Sequence, residues 1–129
     1  MVRIVAGLFL VAHGLIHLMY VTPPPKDDPR YPFVPEERWF PRAVGLEPGA
    51  AKGVARTLAT LCVVLFVIAG IALLANTSLW KPAAVTGSVV SLVLMLLFFH
   101  PWLVFGIAID AAIIATVLSL HIPASLFED

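Results

Sequence analysis

Ile4-Val5-Ala6-Gly7-Leu8-Phe9-Leu10-Val11-Ala12-His13-Gly14-Leu15-Ile16-His17-Leu18-Met19-Tyr20-Val21 is the stretch whose reading decides the fold. It contains no acid, lysine or arginine, and its length suits a hydrocarbon core of roughly 30 Å, which takes about 20 helical residues to cross. Strict alternation of apolar and polar residues is absent, and an open sheet leaves its edge groups unbonded in lipid, so the run reads as helix. Two imidazoles sit inside it. An ionisable or strongly polar side chain at bilayer depth is costly unless it faces protein, a partner or water, so His13 and His17 mark where activity is to be sought.

Three further apolar stretches are also long enough to span, at residues 53–75, 82–99 and 102–121. Together with residues 4–21 they give an all-α integral membrane protein: a single domain over residues 1–129, folded as an antiparallel bundle of four transmembrane helices. Composition agrees. Of the 129 residues, 60% are hydrophobic and 12% charged, more apolar than a soluble domain of this size can bury. The basic residues form no patch with interleaved aromatics, so the partner to expect is a lipid bilayer and not nucleic acid. Cys62 is the single cysteine, which excludes an internal disulfide framework.

The first run is not read as a cleaved secretory signal, because His13 and His17 interrupt its apolar core and no small-x-small site precedes Pro23-Pro24-Pro25. Those prolines end the helix. Residues 22–52 then hold most of the prolines and charges, with Tyr31, Phe33, Trp39 and Phe40 among them, a mixture suited to the headgroup region. The spacing predicts a short helix opening at Pro35-Glu36-Glu37-Arg38-Trp39-Phe40, within a lid on the bilayer surface; a solvated tether is the alternative. The remaining connections are short: residues 76–81, and a tight reversal at His100-Pro101. Trp80 and Trp102 read as interface anchors. Lys26, Arg30, Arg38, Arg42, Lys52 and Arg56 on the loop side, against Arg3 and Lys81 on the other, favour a cytoplasmic loop with both termini outside. Asp27, Asp28, Glu36, Glu37 and Glu47 match many of those charges.

Counting inward along the helices brings the polar groups to similar depths. His13 and Asp110 fall near mid-membrane; His17 and Arg56 lie nearer the loop face, with His100 just beyond. His13, His17 and Tyr20 share one helix face, and Gly7 and Gly14 flatten a neighbouring one. On the third span Ala84, Ser88, Ser91 and Met95 make a small, weakly polar stripe. The arrangement that satisfies these groups sets Asp110 opposite His13 and Arg56 near His17, with Ser91 at mid-depth. His13, His17, Arg56, Asp110 and Ser91 are thus the candidates for a buried polar core or proton relay. A plain structural reading stands beside this: the pair fixes helix register, Arg56 snorkels to the headgroups, and His100 and His121 simply lie at interfaces.

Three functions fit. An accessory or scaffold protein with a buried His/Asp core is the first. Proton-linked small-solute transport is the second, and four spans without an internal repeat would then need an oligomer, either with itself or with other membrane subunits. The third is a redox subunit holding a divalent metal through His13, His17 and Asp110, or haem through His17 and His100. No carboxylate stands within His13-Gly14-Leu15-Ile16-His17, so the helical zinc-protease pattern is missing. No cofactor is expected on the leading reading, and no nucleophile–base–orienter set for hydrolysis is present in the pattern.

With Ala12-His13-Gly14-Leu15-Ile16-His17-Leu18, the basic opening of the second span before Ala69-Gly70, and Gly106 with Ile109-Asp110 in place, the chain resembles a group of small four-helix bacterial inner-membrane proteins. It is more faintly similar to the DoxX-like superfamily through Arg3 to Gly14. The first resemblance implies residence in the bacterial cytoplasmic membrane. The second implies a bundle that associates with redox-enzyme partners.

Overall fold

The computed structural model describes residues 1–26 and 28–119. It is all-helical, and four segments are long and apolar enough to cross a membrane: Val2–Tyr20, Pro48–Leu74, Trp80–Leu97 and Pro101–Ser119. The first is the α-helix α1 (Val2–Ile16) continued by a 3-10 turn (His17–Tyr20); α2 (Trp39–Val44) lies in the long loop. Then come α3 (Pro48–Leu74), α4 (Trp80–Leu97) and, after a 3-10 turn at Pro101–Leu103, α5 (Val104–Ser119). The expected end of the last span at His121, and Asp27 in the loop, lie outside the described residues.

The bundle is built around α3. Its small residues Ala51, Ala55, Ala59 and Cys62 are buried at helical spacing ahead of Phe66, and it packs against α1 on one side and α4 on the other. Helix α5 packs on α4, so the order in space is α1, α3, α4, α5. Close approach of α1 to α3 depends on glycine. A Cβ on Gly70 would stand 2.6 Å from the Gly7 carbonyl oxygen, and one on Gly14 would stand 2.6 Å from the Phe66 Cβ. Tails are as apolar as side chains in a bilayer, so such intimate contact supplies much of the attraction between helices.

Helix α3 starts five residues before the expected position 53, because Pro48 in the first turn needs no amide hydrogen and has its φ set for helix. The loop differs from expectation too. Pro35–Glu37 forms a 3-10 turn, Arg38 is extended, and a new helix opens at Trp39. A helix continuous from Pro35 would place Pro41 in its interior; restarting at Trp39 moves Pro41 into a first turn, where its missing N–H costs nothing.

The loop is packed against the bundle. Tyr31, Pro32, Pro35 and Pro41 are buried, the Trp39 indole N–H donates to the Leu96 carbonyl at 2.7 Å, and Phe40 meets Phe98 edge to face. A Lys52–Glu36 ion pair at 2.9 Å ties it to the start of α3. This segment therefore caps one end of the bundle.

Candidate functional site

Two hydrogen-bonded pairs occupy the middle of the bundle. His13 on α1 and Asp110 on α5 meet with Nε2 and Oδ1 2.9 Å apart, His13 6% exposed and Asp110 fully buried. Asp110 is the one buried residue among those described on α5. One turn along, His17 Nε2 and the Ser91 hydroxyl of α4 are 2.7 Å apart. Ser91 and Ser88 are both fully buried, and Ala84 and Met95 complete the small-residue stripe expected on this helix.

Local backbone explains how His17 is aimed. Its Nδ1 lies 3.1 Å from the His13 carbonyl and 3.2 Å from that of Gly14, so Nδ1 carries the proton and donates to both. The ring thereby takes an acceptor that the helix would otherwise use. The backbone N–H of His17 bonds to Gly14 instead, and α1 tightens there into its 3-10 turn. With Nδ1 committed as donor, Nε2 of the neutral ring accepts from the Ser91 hydroxyl. The two imidazoles meet edge to face at 5.6 Å, and Phe66 packs on both, edge-on to His13 at 4.8 Å and stacked on His17 at 6.0 Å between centroids.

The His13–Asp110 pair has no net charge either as imidazolium and carboxylate or as imidazole and carboxylic acid. Neutrality is what a fully buried site requires, since an isolated ion in an apolar interior costs several kcal/mol. Asp110 Oδ2 is buried without a hydrogen-bond partner, as are the hydroxyls of Tyr20 and Ser88. Cys62, buried on α3, is near enough to interact with both Asp110 and Ser91.

Helices α1 and α5 otherwise stand apart, flanking a cleft with two cavities that share Ile109. One, of about 210 Å³, is lined by His13, His17, Tyr20, Phe33, Met95 and Gly106, among others. The other, of about 340 Å³, is mostly apolar, walled by Phe9 and Leu10 of α1 and Ile113 and Val117 of α5, with Thr116 among its lining residues. The His13–Asp110 contact bridges the two helices across this seam.

Arg56 is not part of the cluster. It is exposed on α3, beside Thr57, Thr60 and Leu61 on a shallow outer depression, because the buried face of that helix is set by Ala55 and Ala59. The expectation that it sits near His17 is corrected: Ser91 holds that place. The proposed metal set does not assemble either. Among the described residues no group of three His, Cys, Asp or Glu side chains is placed to hold a metal ion. His17 Nε2 pairs with Ser91 and its Nδ1 with carbonyls of its own helix, so Asp110 is bonded to His13 and not to His17. His100 caps its own turn, its Nδ1 accepting from the Trp102 backbone N–H at 3.1 Å.

Gly70, Phe66 and Cys62 are structural parts of the site that the reading of polar residues passed over. The signal available for them was the small-residue repeat from Ala51 to Ala69 facing the glycines of the first span. No protein-family model, no curated protein and no solved structure matches the chain.

Proposed function

We propose that the chain is a non-catalytic accessory protein of the bacterial cytoplasmic membrane, whose buried His13–Asp110 pair fixes the first and last helices of the bundle. The observation that carries this reading is the closure of the pair: Asp110 is fully buried and bonded directly to His13, and His17 is spent on Ser91 and on its own helix. Groups so engaged act as registry devices, a recognised use of buried polar pairs. The resemblance to small four-helix inner-membrane proteins and to the DoxX-like superfamily accords with a partner-bound role, with other membrane subunits or a second copy as the partner. The lightly covered α5 offers the face for it.

Proton-linked transport is the second reading, supported by the unpartnered Asp110 Oδ2 and by the cavity at His13 and His17. One experiment separates the two. Purified parent protein, Asp110→Asn and His13→Ala are compared in proteoliposomes for thermal stability and for proton leak driven by an imposed pH gradient. The accessory reading expects no flux above empty liposomes for the parent and lowered stability for both variants. A parent flux that disappears in a stably folded Asp110→Asn protein would establish transport instead.

A further inference from the structure

We propose that the cleft between α1 and α5 binds a neutral, membrane-soluble compound that presents a carbonyl oxygen to His13 Nδ1 and lays its alkyl tail along the seam. The inference goes beyond the accessory reading and stands independently of it. Its starting point is the second nitrogen of His13. Nε2 is taken by Asp110, whereas Nδ1 makes no hydrogen bond and is still not among the fully buried atoms that lack a partner, so it keeps some accessible area in a residue 6% exposed. His13 lines the smaller cavity, and Nδ1 is the ring nitrogen left over for whatever occupies it.

Protonation then fixes what Nδ1 offers. In the imidazolium–carboxylate form both ring nitrogens carry hydrogen. In the imidazole–carboxylic acid form Asp110 donates to Nε2, so the ring hydrogen resides on Nδ1. Both neutral forms of the pair thus turn an N–H donor toward the cavity, and a donor without a partner in an apolar site calls for an acceptor. A carboxylate or phosphate is disfavoured, because no lysine or arginine lines either cavity. A ketone, quinone-type or ester oxygen supplies the acceptor without charge.

The walls describe the rest of the molecule. Phe33, Trp102 and Phe105 offer aromatic surface around the smaller cavity, and Trp102 and Phe105 are 66% and 79% exposed at its rim, where an entering ligand arrives from the bilayer. Ile109 also lines the larger, mostly apolar cavity, whose walls from Phe9 to Val117 suit a hydrocarbon chain. A planar carbonyl head beside His13 and a tail past the His13–Asp110 bridge fill both.

The test uses a benzophenone carrying a decyl chain, which is itself such a ketone and attaches to nearby C–H bonds on illumination. Parent protein in nanodiscs is labelled, and the sites are read by mass spectrometry. The expected result is saturable labelling at Met95, Ile109 and Ile16, displaced by an unlabelled alkyl aryl ketone about tenfold better than by the matching diphenylmethane, which lacks the oxygen; one hydrogen bond accounts for that ratio. Gly106→Val should abolish it, because a Cβ at this position would meet the Met95 sulfur at 2.7 Å and drive it into the chamber. Equal displacement by ketone and diphenylmethane would show a groove filled by any hydrocarbon and overturn the proposal. So would labelling spread over outward residues such as Val64 and Val89. Both comparisons are made on parent protein, so a misfolded variant does not obscure them.

Discussion

His13 and Asp110 illustrate why a buried pair is judged by what happens when half of it is removed. Deleting one partner strands the other in an apolar interior, at a cost of about 3–5 kcal/mol, whereas replacing both with apolar groups of similar volume is close to neutral. His13→Leu and Asp110→Leu alone should each lower the thermal midpoint strongly, and the double variant should recover most of the loss. A double variant as unstable as the worse single one would assign the pair a role other than registry. The His17–Ser91 contact makes a smaller prediction. Ser91→Ala leaves Nε2 buried without a donor and should cost about 1–3 kcal/mol in unfolding experiments, with no change in helix content. His100 lies outside the spans and titrates differently from an exposed histidine: burial, then the charge of Arg38, holds its pKa below the ordinary value. A histidine whose folded pKa is depressed contributes its stability above the unfolded-state pKa and loses it as pH falls through the folded one. Protonation there ends the Nδ1 acceptor bond to Trp102 and puts a cation beside that indole, so Trp102 emission should fall on acidification, with a midpoint below that of an exposed histidine. His100→Gln should remove the transition, and a midpoint at or above that of an exposed histidine would contradict the assignment.

At the scale of helices, the crossing of α1 and α3 depends on backbones meeting at Gly7, Gly14 and Gly70. Gly70→Ala brings a methyl against a backbone oxygen, which cannot swing aside as a side chain does. Separation of the helices should cost about 1–3 kcal/mol, read as a lowered midpoint in a detergent-unfolding titration. Gly49, whose added Cβ meets nothing within 4 Å, serves as the neutral comparison. Elements of this kind were partly legible. Four long apolar runs announced the spans, and helical spacing placed His13 and His17 on a buried face, because lipid forces the backbone into helix and makes a polar side chain at mid-depth costly unless it faces protein. Element ends were less legible: Pro48 and Pro41 act through first-turn backbone rules that an apolar-run reading overlooks.

For the whole molecule, long-range pairing decides the site, and pairing is set by which faces meet. Depth alone was enough to match Asp110 with His13. It could not choose between Arg56 and Ser91 as the partner of His17, because both lie at a similar level and only the rotation of α3 and α4 about their axes separates them. The cleft was not legible at all, since it arises from α1 and α5 packing on α3 and α4 more than on each other. The account as a whole rests on the first and last helices meeting at one polar contact inside the bundle. Solid-state NMR on membrane-reconstituted protein, with histidine labelled at the ring nitrogens and aspartate at Cγ, measures that contact as dipolar dephasing. The account predicts strong dephasing of His13 Nε2 by Asp110, as its 2.9 Å contact with the carboxylate requires, and loss of the effect in Asp110→Asn prepared with unlabelled asparagine. A parent spectrum in which no histidine nitrogen is dephased by aspartate would contradict it.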